Sequence, residues 1–239
     1  MPSQALLRAQ RDLAALANPA EAANLQRFFK TGPGEYGAGD VFRGIRVPAL
    51  RRLVPQHADL PLADVLPLLQ SKHHEDRLFA LLLLVRLFER GDEARQRLVF
   101  DAYLGHTRHI NNWDLVDLSA PNIVGAWTAT HGTAVLQRLV RSQSLWERRI
   151  AIVATFALIR RKRHAATLAL SRKLLADRED LLHKATGWML REVGKRDPGA
   201  LTAFLDQHAG VMPRTMLRYA IERFPEQERQ KYLRLGRNG

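Results

Sequence analysis

The sequence of 239 residues contains no cysteine, which excludes disulfide bonds, thiolate zinc sites and a cysteine nucleophile. Long apolar runs are also missing. The longest, Leu78 to Val85, has eight residues, whereas a membrane span needs about 20. Arg8, Arg11 and Asp12 interrupt any possible hydrophobic region of a signal peptide, so we expect none.

Several catalytic motifs are absent as well. No GxxxxGK[ST] phosphate loop follows the glycine-rich stretch 32–39, no HExxH zinc motif occurs, and no serine lies in a GxSxG elbow. His73 with His74, and His106 with His109, could bind a metal in principle, but such pairs are more typical of packed or surface histidines. We therefore expect no metal and no cofactor.

Acidic residues are few relative to basic ones. Lys and Arg number 37 against 24 Asp and Glu, a formal net charge of +13. The excess is uneven, because residues 1–140 hold 16 basic and 14 acidic side chains, and residues 141–239 hold 21 and 10. A surface this basic attracts polyanions or anionic membranes. No helix shows the basic amphipathic pattern of a membrane-surface helix, so a polyanionic partner is favoured.

Strand-like alternation is not evident, and Leu, Ala, Arg and Glu dominate, which favours helices. Four apolar helical segments, aligned on Arg77, Asp114, Arg149 and Lys184, recur at offsets of 37, 35 and 35, and a fifth starts near Arg218. The first four are each preceded by another helical stretch: 62–69, 93–103, 134–140 and 165–175. This period predicts an all-α fold, a curved right-handed α-solenoid of HEAT-like helical repeats; a chance rhythm in an ordinary helical bundle is the alternative.

A stripe of cations surrounds one tryptophan in the segment that begins near His183. Lys184, Trp188, Arg191 and Lys195 are four, three and four residues apart, so they share one helical face. An indole among cations is typical of a surface that contacts a sugar or base while the cations hold phosphates. The alternative is a core tryptophan beside solvated cations.

A carboxylate and a second tryptophan lie four residues apart in WDLVD, so Trp113 and Asp117 are neighbours on a helix. Asn111 or Asn112 can cap that helix, and Asp114 suits its first turn, which favours a structural role for Asp114. Asp117 stands within an apolar stretch, where a carboxylate must be paired or functional.

Two further basic features are ambiguous. Arg148 and Arg149 open the LWERRIAIV segment, and one of them is expected to pair with Glu147 or with a neighbouring repeat. The run RRKR at 160–163 ends a helix, where cations are favoured and a phosphate can be contacted, although a charge run is more often a solvated face.

Four motifs make the chain resemble the AlkD-type DNA glycosylases, HEAT-like-repeat enzymes of DNA alkylation repair. They are GIRVPALRRL from Gly44, WDLVD from Trp113, LWERRIAI from Leu145 and KATGWMLREVGK from Lys184. The resemblance extends from about Gly44 to Lys195. It implies that residues 1–239 form a single HEAT-like-repeat DNA glycosylase domain.

The resemblance also implies roles for residues. Asp117 matches the family's catalytic aspartate, and Trp113 and Trp188 match two tryptophans that flank the sugar of the damaged nucleotide. Asn112 stands where many members have a further tryptophan. Arg149 matches an arginine that holds the DNA backbone, and the expected DNA-binding set is Arg149, Arg191, Lys184, Lys195, Arg51, Arg52, Arg160 and Arg161.

The activity implied is hydrolysis of the N-glycosidic bond of N3- or N7-alkylated purines in duplex DNA, without a base-flipping pocket. The expected enzyme is a monomer in the cytoplasm, associated with the nucleoid in a prokaryote. Two alternatives are a catalytically silent protein that binds branched or bent DNA and a HEAT scaffold for an acidic protein. The set of Trp113, Asp117 and Trp188 favours the enzyme, because a scaffold needs no carboxylate beside indoles.

Overall fold

The structure is a computed structural model that describes residues 2–235. Helices account for its regular structure, apart from an isolated β-bridge between Val41 and His73, so the all-α prediction is confirmed. No helix in this range is long and apolar enough to cross a lipid bilayer.

The α-helices follow in this order: α1 Gln4–Ala15, α2 Pro19–Phe28, α3 Val47–Leu53, α4 Leu62–Leu69, α5 His74–Arg90, α6 Glu93–Gly105, α7 Trp113–Ser119, α8 Ala126–His131, α9 Ala134–Leu139, α10 Leu145–Ala154, α11 Phe156–Ile159, α12 Ala165–Lys173, α13 Asp180–Gly194, α14 Pro198–His208, α15 Arg214–Ala220 and α16 Glu226–Arg234. A π-helical turn, Pro121–Gly125, separates α7 from α8. Side chains that accept an amide hydrogen bond cap α1, α2, α6, α10 and α14, namely Ser3, Asn18, Asp92, Ser144 and Asp197.

The helices form repeated pairs. The stretches predicted at 62–69, 93–103, 134–140 and 165–175 become α4, α6, α9 and α12, with ends that differ by at most two residues. The apolar segments become α5, α7, α10 and α13, while the fifth begins at Arg214 and only contains Arg218. Second helices of successive pairs pack together, α5 on α7, α10 on α13 and α13 on α15. The curvature and handedness of the array stay predictions.

Contacts divide the chain into two compact units, Met1–Ser119 and Ala120–Gly239. In the first unit α5 contacts α3, α4, α6 and α7, so the apolar run from Leu78 lies at the centre of the core. In the second unit α13 contacts α10, α12, α14 and α15. The charge follows the same division, because the first unit has 15 basic and 14 acidic residues and the second has 22 and 10.

Two helix ends carry a lysine in the left-handed conformation. They are Lys30 after α2 and Lys162 after α11, with φ of 53° and 57°. At the second end, the N–H of Arg163 donates to the Leu158 carbonyl and the N–H of Lys162 to the Ile159 carbonyl. This is the Schellman ending, where glycine is the usual residue, so lysine is strained there.

Candidate functional site

Helix α7 is fixed at its beginning by side chains next to the candidate catalytic pair. Asn112 is buried, and its Oδ1 accepts the Trp113 N–H at 2.8 Å. Asp114 Oδ1 accepts the Leu115 N–H at 2.9 Å. Both contacts satisfy amides that the first turn leaves without helical partners. Trp113 and Asp117 are both half-buried on this helix.

Trp113 and Asp117 line the same open pocket, which lies within the first unit and has a volume of about 610 Å³. Most of its wall is apolar and comes from α2, α3, α5 and the segment between α2 and α3. The apolar lining residues are Leu25, Phe28, Phe29, Phe42, Ile45, Val47, Pro48, Leu78 and Leu118. An apolar pocket with few polar groups is the usual form of a ligand site.

An aromatic stack sets the position of Trp113. Its ring stacks on Phe29 with centroids 5.3 Å apart and meets the edge of Phe28 at 6.1 Å. Phe29 in turn stacks on Phe42 at 5.1 Å. Phe28 is 63% exposed, so most of its apolar ring faces solvent at the wall of the pocket. Sequence reasoning missed this wall, although two adjacent phenylalanines before a glycine-rich stretch were a usable signal.

A buried network of charges extends from the wall of the pocket, where His74 and Asp114 lie, into the core of the first unit. The ring nitrogens of His74 face two carboxylates, with Nδ1 3.1 Å from Asp40 Oδ2 and Nε2 2.8 Å from Asp114 Oδ2. Arg77 donates to Asp40 Oδ1 at 2.7 Å. Burial lowers the pKa of His74, but hydrogen bonds to Asp114 and Asp40 outweigh it and raise this pKa to about 8. Burial would raise the pKa of Asp40, but His74 and Arg77 hold it below its usual value.

The GIRVPALRRL motif begins at a loop that Glu75 anchors. This buried glutamate accepts the N–H of Arg43 at 2.8 Å, of Gly44 at 2.8 Å and of Ile45 at 3.0 Å. Gly44 has φ of +84°, and a Cβ there would lie 2.0 Å from the Asn18 carbonyl oxygen. Only glycine fits this position, which explains why the motif opens with one.

The basic pair predicted on α3 is exposed. Arg51 and Arg52 lie in its last turn, and within residues 2–235 neither side chain forms an ion pair. Their guanidinium groups are therefore available to an anion from solvent.

In the second unit, Trp188 lies beside an aromatic ring that attracts two cations. Its ring is 6.0 Å from Phe156, and the guanidinium groups of Arg160 and Arg196 lie 4.4 and 5.8 Å from the Phe156 centroid. Trp188 is half-buried, so it is neither a core residue nor fully solvated. Arg160 and Arg161 are exposed.

The cations of the predicted stripe have carboxylate partners in the second unit. Lys184 pairs with Asp180 at 2.8 Å, and its hydrogen bond lowers the pKa of Asp180. Arg191 pairs with Glu222. An incoming phosphate would have to compete with these exposed carboxylates.

Lys195, the last member of the stripe, pairs with Glu192 at 2.5 Å, and Arg196 joins it at 3.1 Å. Burial would raise the pKa of Glu192, but these hydrogen bonds outweigh it and lower the value. This group therefore secures the end of α13.

Arg149 is 5% exposed, and its guanidinium donates to the Leu181 carbonyl at 2.5 Å. Its neighbour Arg148 pairs with Asp177 at 2.7 Å, which is the inter-repeat ion pair expected of one of the two. The predicted DNA contact of Arg149 stays a prediction for a side chain that also joins α10 to α13.

Residues 2–235 contain no group of three His, Cys, Asp or Glu side chains that could hold a metal ion. His74, the most central of the candidate ligands, has both nitrogens engaged by carboxylates.

Comparisons with known proteins identify the family of the chain through one family model. A family model described as DNA alkylation repair enzyme matches residues 9–224. A search of curated proteins gave no match. A solved structure described as "Predicted DNA alkylation repair enzyme from Enterococcus faecalis" has a TM-score of 0.70 and 20% identity, and the match covers 88% of this chain and 97% of that one. At that identity the likeness shows the fold alone.

The family model covers most of the length of this chain. The chain therefore belongs to the DNA alkylation repair enzyme family, with a role in DNA repair and DNA as its substrate.

Proposed function

We propose that the protein is a monofunctional DNA glycosylase that hydrolyses the N-glycosidic bond of N3- or N7-alkylated purines in duplex DNA. The observation that carries the proposal is the half-buried carboxylate of Asp117 beside Trp113 at an aromatic pocket, in a chain of a DNA alkylation repair family. The whole chain acts as one domain and as a monomer, in the cytoplasm or on the nucleoid.

The chemistry needs little more than a well-placed negative charge. Alkylation at N3 or N7 leaves the purine positively charged, so the base departs with the bonding electrons as a neutral molecule. Positive charge develops on the deoxyribose, and an ionised Asp117 stabilises it while it orients the water that adds to C1′ and loses its proton to solvent. At about 4 Å and an effective dielectric constant of about 20, this attraction is about 4 kcal/mol. That corresponds to an upper bound of about a thousandfold in rate.

The indoles contribute a second attraction. The face of Trp113 is electron-rich, and a cation over such a face gains about 0.5–2 kcal/mol. Its stack on Phe29 fixes the ring, so little side-chain entropy is lost when the substrate binds. We assign Trp188 the role of the family's second tryptophan on the basis of the GWMLRE motif.

DNA affinity comes from the basic side chains, most of them in the second unit. Arg51, Arg52, Arg160 and Arg161 are exposed and contact phosphates directly. Lys184, Arg191 and Lys195 exchange their carboxylate partners for phosphates. Arg149 contributes from a buried position, through the placement of α13.

The test is release of 7-methylguanine and 3-methyladenine from methylated duplex DNA, measured by chromatography. Wild type should release both bases above the spontaneous rate, and Asp117→Asn should lose about 100- to 1000-fold. Asp59→Asn, an exposed carboxylate of the same unit, is the matched control and should retain full activity.

Other outcomes contradict the proposal. Equal base release by wild type and Asp117→Asn, at the spontaneous rate, would favour a silent protein that binds bent or branched DNA. Failure to bind duplex DNA at about 50–100 mM salt would favour a protein scaffold instead.

A further inference from the structure

Four buried ionisable side chains lie at or behind the wall of the pocket, and none of the proposed chemistry uses them. Asp40, His74, Arg77 and Asp114 are each at most 7% exposed. His74 is central, since Nδ1 lies 3.1 Å from Asp40 and Nε2 lies 2.8 Å from Asp114. Buried ionised groups at this density persist only when their charges balance.

The balance depends on a proton. Only the imidazolium can donate from both nitrogens, whereas neutral imidazole donates to one carboxylate and presents a lone pair to the other. With His74 charged, two cations oppose two carboxylates in this network. With His74 neutral, one cation opposes two carboxylates, and one of the carboxylates loses its hydrogen bond from the ring, although Asp40 keeps the one from Arg77. The charged groups that act on the ring come from three elements: Asp40 before α3, Arg77 in α5 and Asp114 in α7. Glu75 and Asp117 carry further carboxylates that line the same pocket as His74.

The network reaches the catalytic pair by two routes. Asp114 joins His74 to the first turn of α7, where Trp113 precedes it and Asp117 follows within one turn. The His74 ring also stacks on Phe42 at 4.5 Å and lies 5.0 Å from Phe29, on which Trp113 stacks. A change at His74 therefore alters both the hydrogen bond and the aromatic support of α7.

We propose that His74 is a positioning residue whose protonated form holds α7 in place, so that the site works only while His74 carries its proton. The inference rests on the proposed glycosylase function, with Asp117 and Trp113 as its catalytic groups. It gives the site an alkaline limit that originates at a buried histidine in the wall of the pocket instead of at the substrate.

The sign of the effect follows from the pKa of His74, which folding raises from 6.5 to about 8. A raised histidine pKa stabilises the folded state fully below the unfolded value of about 6.5, and the contribution disappears as pH rises through about 8. Positioning of α7 is expected to weaken over this same interval.

Two variants shift the limit in opposite directions. Asp40 does not line the pocket, and Asp40→Asn removes a carboxylate that favours the imidazolium, so the alkaline limb of base release should move down by about one pH unit. Arg77→Gln removes a cation that disfavours it, so the limb should move up. Simple damage to the fold lowers the rate at every pH and does not produce opposite shifts. Ionisation of the substrate affects wild type and both variants equally, so it cannot cause a shift between their pH profiles.

A second measurement does not depend on catalysis. The His74 ring can be titrated by ¹⁵N NMR, and Trp113 by ¹⁹F NMR in protein labelled with 5-fluorotryptophan, with Trp113→Phe to assign the signal. Both signals should change with one midpoint near pH 8, and that midpoint should move with Asp40→Asn and Arg77→Gln.

The inference is overturned if His74 is neutral at pH 7, if the Trp113 signal does not follow it, or if the variant pH profiles coincide with wild type. Absence of base release by wild type at every pH would defeat the glycosylase proposal alone. The linked titration of His74 and Trp113 would then still decide whether the network positions α7.

Discussion

At the scale of single residues, spacing along the sequence was enough to predict that Trp113 and Asp117 are neighbours, and the structure places both at one pocket. Spacing could not predict what holds them. His74 meets Asp40 and Asp114, which lie 34 and 40 positions away, and such pairs leave no local pattern. The same holds for Arg149, whose position at the start of an apolar helix did not show that it would be buried.

Arg149→Ala should lower the free energy of unfolding by about 1–3 kcal/mol, because the Leu181 carbonyl loses a charged donor in a buried setting. Urea denaturation measures this change. Arg161→Ala removes an exposed arginine from the same unit and should change stability by less than about 0.5 kcal/mol. Equal stability of the two variants would contradict the buried contact.

At the scale of elements, the prediction of helix pairs succeeded because proline, glycine and capping residues mark the helix ends and the apolar segments recur. Close approach between helices was not predictable from one sequence. Gly187 in GWMLRE is an example, since a Cβ there would lie 2.4 Å from the Met216 carbonyl oxygen in α15. The glycine of that motif serves packing, while its neighbour Trp188 remains half-exposed.

Gly187→Ala should destabilise the protein by about 1–3 kcal/mol, because α13 and α15 must separate to admit the methyl group. Thermal unfolding checks this. Gly105→Ala is a suitable control, since nothing lies within 4 Å of a Cβ at that helical glycine. A Gly187→Ala protein as stable as wild type would show that the helices can move apart freely.

Lys162→Gly should separate stability from DNA affinity. Relief of left-handed strain, about 1 kcal/mol, is offset by the greater freedom of glycine in the unfolded chain, about 0.4–1 kcal/mol. The net change in unfolding free energy should therefore stay within about 0.5 kcal/mol. Affinity for duplex DNA, measured by fluorescence anisotropy, should nevertheless fall, because the exposed turn loses one of the four positive charges of RRKR. Unchanged affinity would remove the RRKR turn from the DNA-binding surface.

At the scale of the whole molecule, the charge difference between the two units implies that most of the salt-dependent affinity comes from residues 120–239. Composition alone indicated a polyanionic partner. It could not show which cations are available, and the structure separates the exposed Arg160 and Arg161 from the paired Lys184 and Arg191.

The double variant Arg160→Ala, Arg161→Ala should reduce the slope of log K against log salt by about 1.8, since each phosphate contact contributes about 0.9. Binding titrations between about 50 and 200 mM salt measure the slope. The single variant Lys184→Ala should change it by less than about 0.9, because Asp180, once Lys184 leaves it for a phosphate, takes up a cation from solution. A change of the full value of about 0.9 would mean that Asp180 has no influence on the phosphate contact.

The Glu75 anchor has a consequence for local dynamics. The amides of residues 43–45 lie outside any helix, and yet one carboxylate accepts all three. Their hydrogens should exchange with solvent deuterium as slowly as those of α5, because opening any of them leaves the buried carboxylate of Glu75 without one of its donors. If residues 43–45 exchange as slowly as α5, the part of the pocket wall that Ile45 and Glu75 form is rigid in the absence of DNA.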